Sequence, residues 1–132
     1  KVVPTLIVPV EHKGLKTGDY SIKGLEDRVS VERKSLEDFF HCVGSDRDRF
    51  VRQLERLNQL ERGVMMIEAD WNRILQGAPR SELLPKAVVR SVMAWQQDHF
   101  PNVHWWFLGT KRRAELFTFR ILDRFWKKKG QA

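Results

Sequence analysis

Cysteine is almost absent from this sequence. Cys42 stands alone among 132 residues, so no disulfide can form within the chain and a cysteine-based zinc site is excluded. A single thiol fits a reducing compartment. Long apolar runs are missing as well. Nothing approaches the roughly 20 consecutive apolar residues that span a bilayer, and the longest early run, Val2 to Val10, is interrupted by Pro4 and Pro9. That run also lacks the charged-then-apolar layout and small-residue cleavage site of a secretory signal, so no membrane partner is expected. Internal repeats, low-complexity tracts and a convincing linker are absent too. The length suits one domain with a real core, and the expectation is a single domain over residues 1–132.

What the chain has in excess is positive charge. Lys and Arg number 24 against 17 Asp and Glu, a formal charge of +7. Such a surplus favours a polyanionic partner, because cationic side chains release the counterions condensed on nucleic acid. Charge alone is equally compatible with a basic surface that binds nothing.

Hydrophobic periodicity gives the order of elements. Val2–Val8 reads as extended, with Pro4 placing it near an edge or a strand start, and Gly14 to Gly18 as a turn. Asp19–Lys23 and Arg28–Lys34 alternate polar and apolar residues around Gly24–Asp27, the pattern of a hairpin with a four-residue loop. Ser35 is placed to cap a helix reaching Val43, with Asp38 three residues on. Ser45 and Asp46 can cap a second helix carrying Phe50, Leu54, Leu57 and Leu60, which Gly63 ends. Val64–Glu68 and Val103–Leu108 have the length and composition of buried strands. Between them lie a short helix, Trp71–Gln76, and a longer one from Pro85 to about His99, with Val88, Val89, Val92, Met93 and Trp95 as core positions. Lys111–Trp126 closes the chain as an amphipathic helix, followed by three lysines that suit a helix C-terminus. The expected architecture is α/β, a mixed β-sheet flanked by helices.

The hairpin brings chemistry with it. Side chains two apart on a strand share a face, so Glu32 and Lys34 project together while Val29, Val31 and Arg33 point the other way. A four-residue loop pairing Lys23 with Arg28 sets Ile22 opposite Val29 and Asp19 opposite Glu32. Two carboxylates about 5 Å apart repel by about 3 kcal/mol at an effective dielectric near 20, more than the roughly 0.2–1 kcal/mol of a favourable cross-strand pair. A cation belongs there: Lys34, a divalent metal, or both. Mg²⁺ commonly takes one or two carboxylates plus water and phosphate oxygens, and a lysine beside it can stabilise charge developing on a phosphate. Acid, acid and lysine are the parts of a phosphodiester-hydrolysing site. An acid followed two positions on by lysine is, by itself, ordinary strand surface.

Gly18-Asp19-Tyr20 followed by Val31-Glu32-Arg33-Lys34-Ser35-Leu36-Glu37-Asp38 resembles the GD…ERKxxxD signature of the XPF-type nuclease domain, within the PD-(D/E)XK, restriction-endonuclease-like group. Arg49 with Gln53 resembles the RxxxQ helix of that family, Val64–Glu68 its apolar strand ending in Glu, and Ala114-Glu115 a looser match. The specific part is residues 18 to 68. The resemblance implies a restriction-endonuclease-like core and a divalent-metal-dependent DNA endonuclease, with a preference for branched or flap DNA as one expectation. It implies Mg²⁺ or Mn²⁺ held by Asp19, Glu32 and the carbonyl of Arg33. Lys34 would serve the water, with Arg33 and Asp38 holding or assisting the site. The compact form is most similar to small phage and bacterial members, hence a cytoplasmic location, or the nucleus in a eukaryote. One departure matters. The family's acidic DxRE motif, normally on a strand before GDY, has no counterpart here, and Glu11 does not match it. Lys1 is no natural start, so the expectation is that the motif lies upstream and that the chain lacks its N-terminal segment. The alternative is a catalytically silent DNA-binding or scaffold module with the same fold. An RNA-directed nuclease is a third reading.

Arg49, Arg52, Gln53 and Arg56 are spaced to share one side of a helix, where phosphate contacts compete with simple solvation. Lys111–Arg113 and Lys127–Lys129 read as solvated helix ends. Trp105, Trp106 and Phe107 read as core rather than a base-stacking platform. The four histidines show no metal-ligand spacing. Phe117, Phe119, Leu122 and Phe125 overfill one apolar stripe, which makes a homodimer or a partner protein an expectation.

Overall fold

Alternating strand and helix patterns produce three parallel strands stacked between helices. The computed structural model describes residues 18–130; the expected strand Val2–Val8, most of the Gly14–Gly18 turn and Glu11 lie outside them. Among the described residues, β1 (Val29–Lys34), β2 (Arg62–Ile67) and β3 (Val103–Phe107) form a sheet in that order. Both pairings are parallel, with Val31 beside Val64 and Val64 beside His104. Parallel strands need crossovers. The first is α1 (Leu36–Val43) with α2 (Arg47–Asn58), the second α3 (Trp71–Leu75) with α4 (Pro85–Ala94), and α5 (Lys111–Phe125) follows β3.

The strand pleat divides the side chains between two cores. On one face Met65, Ile67, Val103, Trp105 and Phe107 meet Phe39, Phe40, Phe50, Leu54, Leu57, Val88 and Val92 from α1, α2 and α4. Each such side chain contributes roughly 1.5–3 kcal/mol when fully buried. On the other face Val31, Val64 and Met66 pack on Ala114, Phe117, Ile121 and Leu122 of α5. The sheet is thus sandwiched between helical layers.

Several expectations change. Among the described residues the three strands are all parallel, where a mixed sheet was expected, and the antiparallel pairing is one bridge, Tyr20 with Val31. The expected strand Asp19–Lys23 gives way to consecutive turns. Leu25 N–H donates to the Ile22 carbonyl, and Arg28 and Val29 N–H groups both donate to the Leu25 carbonyl. Gly24, at φ 88°, supplies the left-handed step of this loop. The register survives: Tyr20 opposite Val31 sets Asp19 opposite Glu32.

Helix ends also shift. Ser35 caps α1 as expected, its hydroxyl accepting from Asp38 N–H, but Asp46 precedes α2 without a side-chain cap bond. Helix α2 stops at Asn58 and β2 begins at Arg62, because Gly63 lies so near the Leu57 carbonyl that a Cβ would sit 2.2 Å from its oxygen. The helix from Pro85 is α-helical to Ala94 and widens into a π-helical turn over Trp95–His99. Met93 is exposed, not core, since Val88, Val92 and Trp95 occupy the inward stripe. Trp106 is 40% exposed, because it lies on the opposite face of β3 from Trp105 and Phe107.

A candidate active site at the end of the first strand

The site is built on β1, where residues that point to opposite faces perform different tasks. Val31 N–H donates to the Tyr20 carbonyl at 2.8 Å, and the Val31 carbonyl accepts from both Asp19 and Tyr20 N–H groups. This bridge ties the Gly18–Tyr20 segment to β1. Gly18 is indispensable to the approach: its φ is +75°, and a Cβ would meet Ser30 Oγ at 1.9 Å. Asp19 then reaches past the end of the bridge, and its carboxylate accepts from Arg33 N–H at 3.0 Å.

Glu32 lies opposite, almost completely buried at 4% exposure. Lys34 Nζ stands 3.6 Å from its Oε1. The other oxygen, Oε2, is buried with no hydrogen-bond partner. Burial pushes the Glu32 carboxyl up to about 8, the neighbouring Asp19 adds to the rise, and the Lys34 ammonium only partly opposes it. Without a further cation, then, the pair of acids keeps a proton on Glu32 at neutral pH.

Lys34 also opens onto a cleft of about 170 Å³ lined by Asp38, His41, Cys42, Asp46, Arg49 and Gln53. Asp38 lies in the first turn of α1, its N–H held by the Ser35 cap, and Arg49 and Gln53 lie one turn apart on the same side of α2. Arg52 and Arg56, on the same helix, are exposed and do not line this cleft. His41, Cys42 and Asp46 were not foreseen as neighbours of Lys34. The spacing of His41 and Cys42 after Asp38 on α1 was the available signal. Burial raises the Cys42 thiol, so it is a poor nucleophile.

The Arg33 guanidinium points to the far face, as strand alternation requires. There its Nε donates to Glu68 at 3.0 Å, Nη1 donates to the Tyr20 hydroxyl at 3.0 Å, and Glu115 lies 3.7 Å from Nη2. The guanidinium also stacks on the Tyr20 ring at 5.4 Å. Glu68, just past β2, donates its backbone N–H to the Lys34 carbonyl. Tyr20 and Glu115 are the partners that spacing alone did not supply. Arg33 therefore brings main-chain groups, not its side chain, to the acidic face. Its N–H is engaged by Asp19, and because N–H and C=O of one strand residue point the same way, its carbonyl faces that same edge.

Among the described residues no group of three or more His, Cys, Asp or Glu side chains is arranged to hold a metal ion. A site for Mg²⁺ does not need three, since one or two carboxylates suffice when water and phosphate complete the shell. Asp19, the unpartnered Glu32 Oε2 and the Arg33 carbonyl edge are hard oxygen donors of that kind. The residues present fit the group.

An α/β domain with two acids and a lysine at one strand end has the features of a nuclease-class domain. The ERCC4 domain family model matches residues 5–118, and the chain belongs to that family, the XPF-type nuclease domains, consistent with the wider PD-(D/E)XK group. A relative, the "Putative ATP-dependent RNA helicase" of Methanocaldococcus jannaschii, is 34% identical over 76 residues, 57% of this chain. The chain spans only 9% of that protein's length. Among the described residues no helix is long and apolar enough to cross a membrane.

Proposed function

We propose that the chain is a divalent-metal-dependent DNA endonuclease that hydrolyses phosphodiester bonds at Asp19, Glu32 and Lys34. The observation that carries this reading is the buried Glu32 Oε2 without a hydrogen-bond partner, opposite Asp19 and beside Lys34. A buried carboxylate oxygen left unpaired is costly, and a cation shared with Asp19 satisfies it. Mg²⁺ or Mn²⁺, when bound, lowers the pKa of water and offsets phosphate charge. Asp19 and Glu32 hold that ion, with the Arg33 carbonyl beside them. Lys34 is aimed from the same face into the cleft, where its ammonium orients water and stabilises charge on the phosphate as the P–O bond breaks. Asp38, in the first turn of α1, lines the same cleft and assists there. Arg49 and Gln53 bind the phosphate backbone at the cleft rim, with Arg52 and Arg56 extending that basic side of α2.

The net charge of +7 supports DNA as the partner. Branched or flap DNA is the substrate class to test first. A nicking assay with labelled duplex and flap DNA in Mg²⁺ tests the reading: Asp19→Asn and Lys34→Ala are expected to lose at least 100-fold in rate. Equal cleavage by all three proteins would remove the site. A silent DNA-binding module is the second reading, favoured by the absence of a DxRE motif in this sequence; it predicts DNA binding without metal-dependent cleavage.

A further inference from the structure

The face of the sheet opposite the acidic cleft is only partly covered. Helix α5 packs chiefly on β1 and β2, and this leaves the outward side chains of β3 at the rim. Trp106 is 40% exposed there, its ring held edge-on by Phe117 of α5 with centroids 5.4 Å apart. Such a ring is a fixed, flat, half-wet surface rather than a waving side chain.

The helix strip beside it is uniformly basic. Arg113, Arg120 and Arg124 lie four before, three after and seven after Phe117, which places all three within about 60° of it on a wheel of 3.6 residues per turn. All three are exposed. The acids of the same helix are turned away and engaged elsewhere: Glu115 lies 3.7 Å from Arg33, and Asp123 is paired with Lys127 at 2.9 Å.

We infer that this groove is a second nucleic-acid site, in which Trp106 stacks a base of a single strand and the α5 arginines follow its backbone. The occupant is chosen by charge and shape together. An arginine strip repels a second copy of the same face and attracts a polyanion, while an exposed indole accepts a base only if that base is unpaired. Duplex DNA offers phosphates but no free ring faces. The inference rests on the nuclease reading only for its ligand class, and it assigns the single-stranded arm of a branched substrate to the face opposite the cleft.

The test is anisotropy of a labelled 15-nucleotide oligo-dT and of a 15-base-pair duplex, with EDTA present so that no cleavage or metal is involved. Base–aromatic stacking contributes about 1–3 kcal/mol, so Trp106→Ala is expected to weaken oligo-dT binding by roughly 5- to 150-fold and to change duplex binding little. Trp106→Phe retains most of the affinity. Arg113→Glu with Arg120→Glu flattens the salt dependence of oligo-dT binding. Equal oligo-dT affinity for a folded Trp106→Ala protein overturns the inference, as does an equal loss for oligo-dT and duplex. A dimer in sedimentation that Trp106→Ala dissociates, with oligo-dT affinity unchanged, assigns the face to a second copy and overturns it too. A wild-type protein that binds oligo-dT through Trp106 but cleaves no DNA when Mg²⁺ is supplied would leave this site standing and remove only the nuclease reading.

Discussion

Glu32 is a residue whose proposed function opposes the stability of the fold. Its carboxyl titrates near 8 in the folded protein because it is buried beside Asp19, against an ordinary value near 4.3 in an unfolded chain. The folded state therefore holds the extra proton between those limits. Stability from this group is fully present below about pH 4.3 and is lost progressively as pH rises to and through 8, by an amount on the order of 5 kcal/mol. Metal-free protein should melt at progressively lower temperature from pH 5 to 8.5, and Glu32→Gln should flatten that profile while abolishing cleavage. A wild-type profile as flat as the variant's would show that the carboxyl is not desolvated. Arg33 makes a second residue-scale case. Its pair with Glu68 is nearly buried, with side chains 10% and 15% exposed, whereas Arg28 and Glu61 are 38% and 44% exposed. Breaking a buried pair typically costs about 3–5 kcal/mol, whereas an exposed one is screened by solvent and contributes little. Denaturant titration should accordingly find Arg33→Ala several-fold more damaging than Arg28→Ala.

Among the elements, β1 is the one on which both faces depend. The bridge from Tyr20 to Val31, with the bonds of Asp19 to Val31 and Arg33, fixes Asp19, and it needs Gly18 at positive φ against Ser30. Gly18→Ala should cost about 1–3 kcal/mol and should reduce cleavage beyond its effect on stability, because Asp19 is displaced from Glu32. Unchanged activity in a correctly folded Gly18→Ala protein would contradict that dependence. The pairing register of this region was legible in the sequence, since alternation and loop length set Asp19 opposite Glu32. The shortness of the bridge was not, because Gly24 and the Leu25 carbonyl capture hydrogen bonds that a ladder would have used. Helix α1 was readable from its Ser35 cap and α2 from three–four spacing. The widening of the helix from Pro85 at Trp95 was not, for it answers to packing: Trp95 lies parallel to Trp105 across the core, 6.3 Å apart. The spacing of Arg49 and Gln53 put them on one side of α2, but not beside Lys34, whose cleft they line; likewise the contact of Arg33 with Tyr20 and Glu115 joins separate elements that no local pattern relates.

For the molecule as a whole, the sheet separates two surfaces with different demands. The α1–α2 side carries the acids, Lys34 and the cleft. The α5 side holds the Arg33 clamp and the exposed Trp106. A net charge of +7 makes binding to DNA salt-dependent on either side. Raising salt from 50 to 200 mM should weaken duplex binding by at least 10-fold, and salt-insensitive binding would point away from a phosphate-directed surface. The account turns on whether Asp19 and Glu32 share a divalent cation. Calorimetric titration of Mn²⁺ into the protein at pH 8 measures this without any substrate. One site is expected in the wild type and in Lys34→Ala, and none in Asp19→Asn or Glu32→Gln. Undiminished Mn²⁺ binding by both acid variants, or none by the wild type, would contradict it.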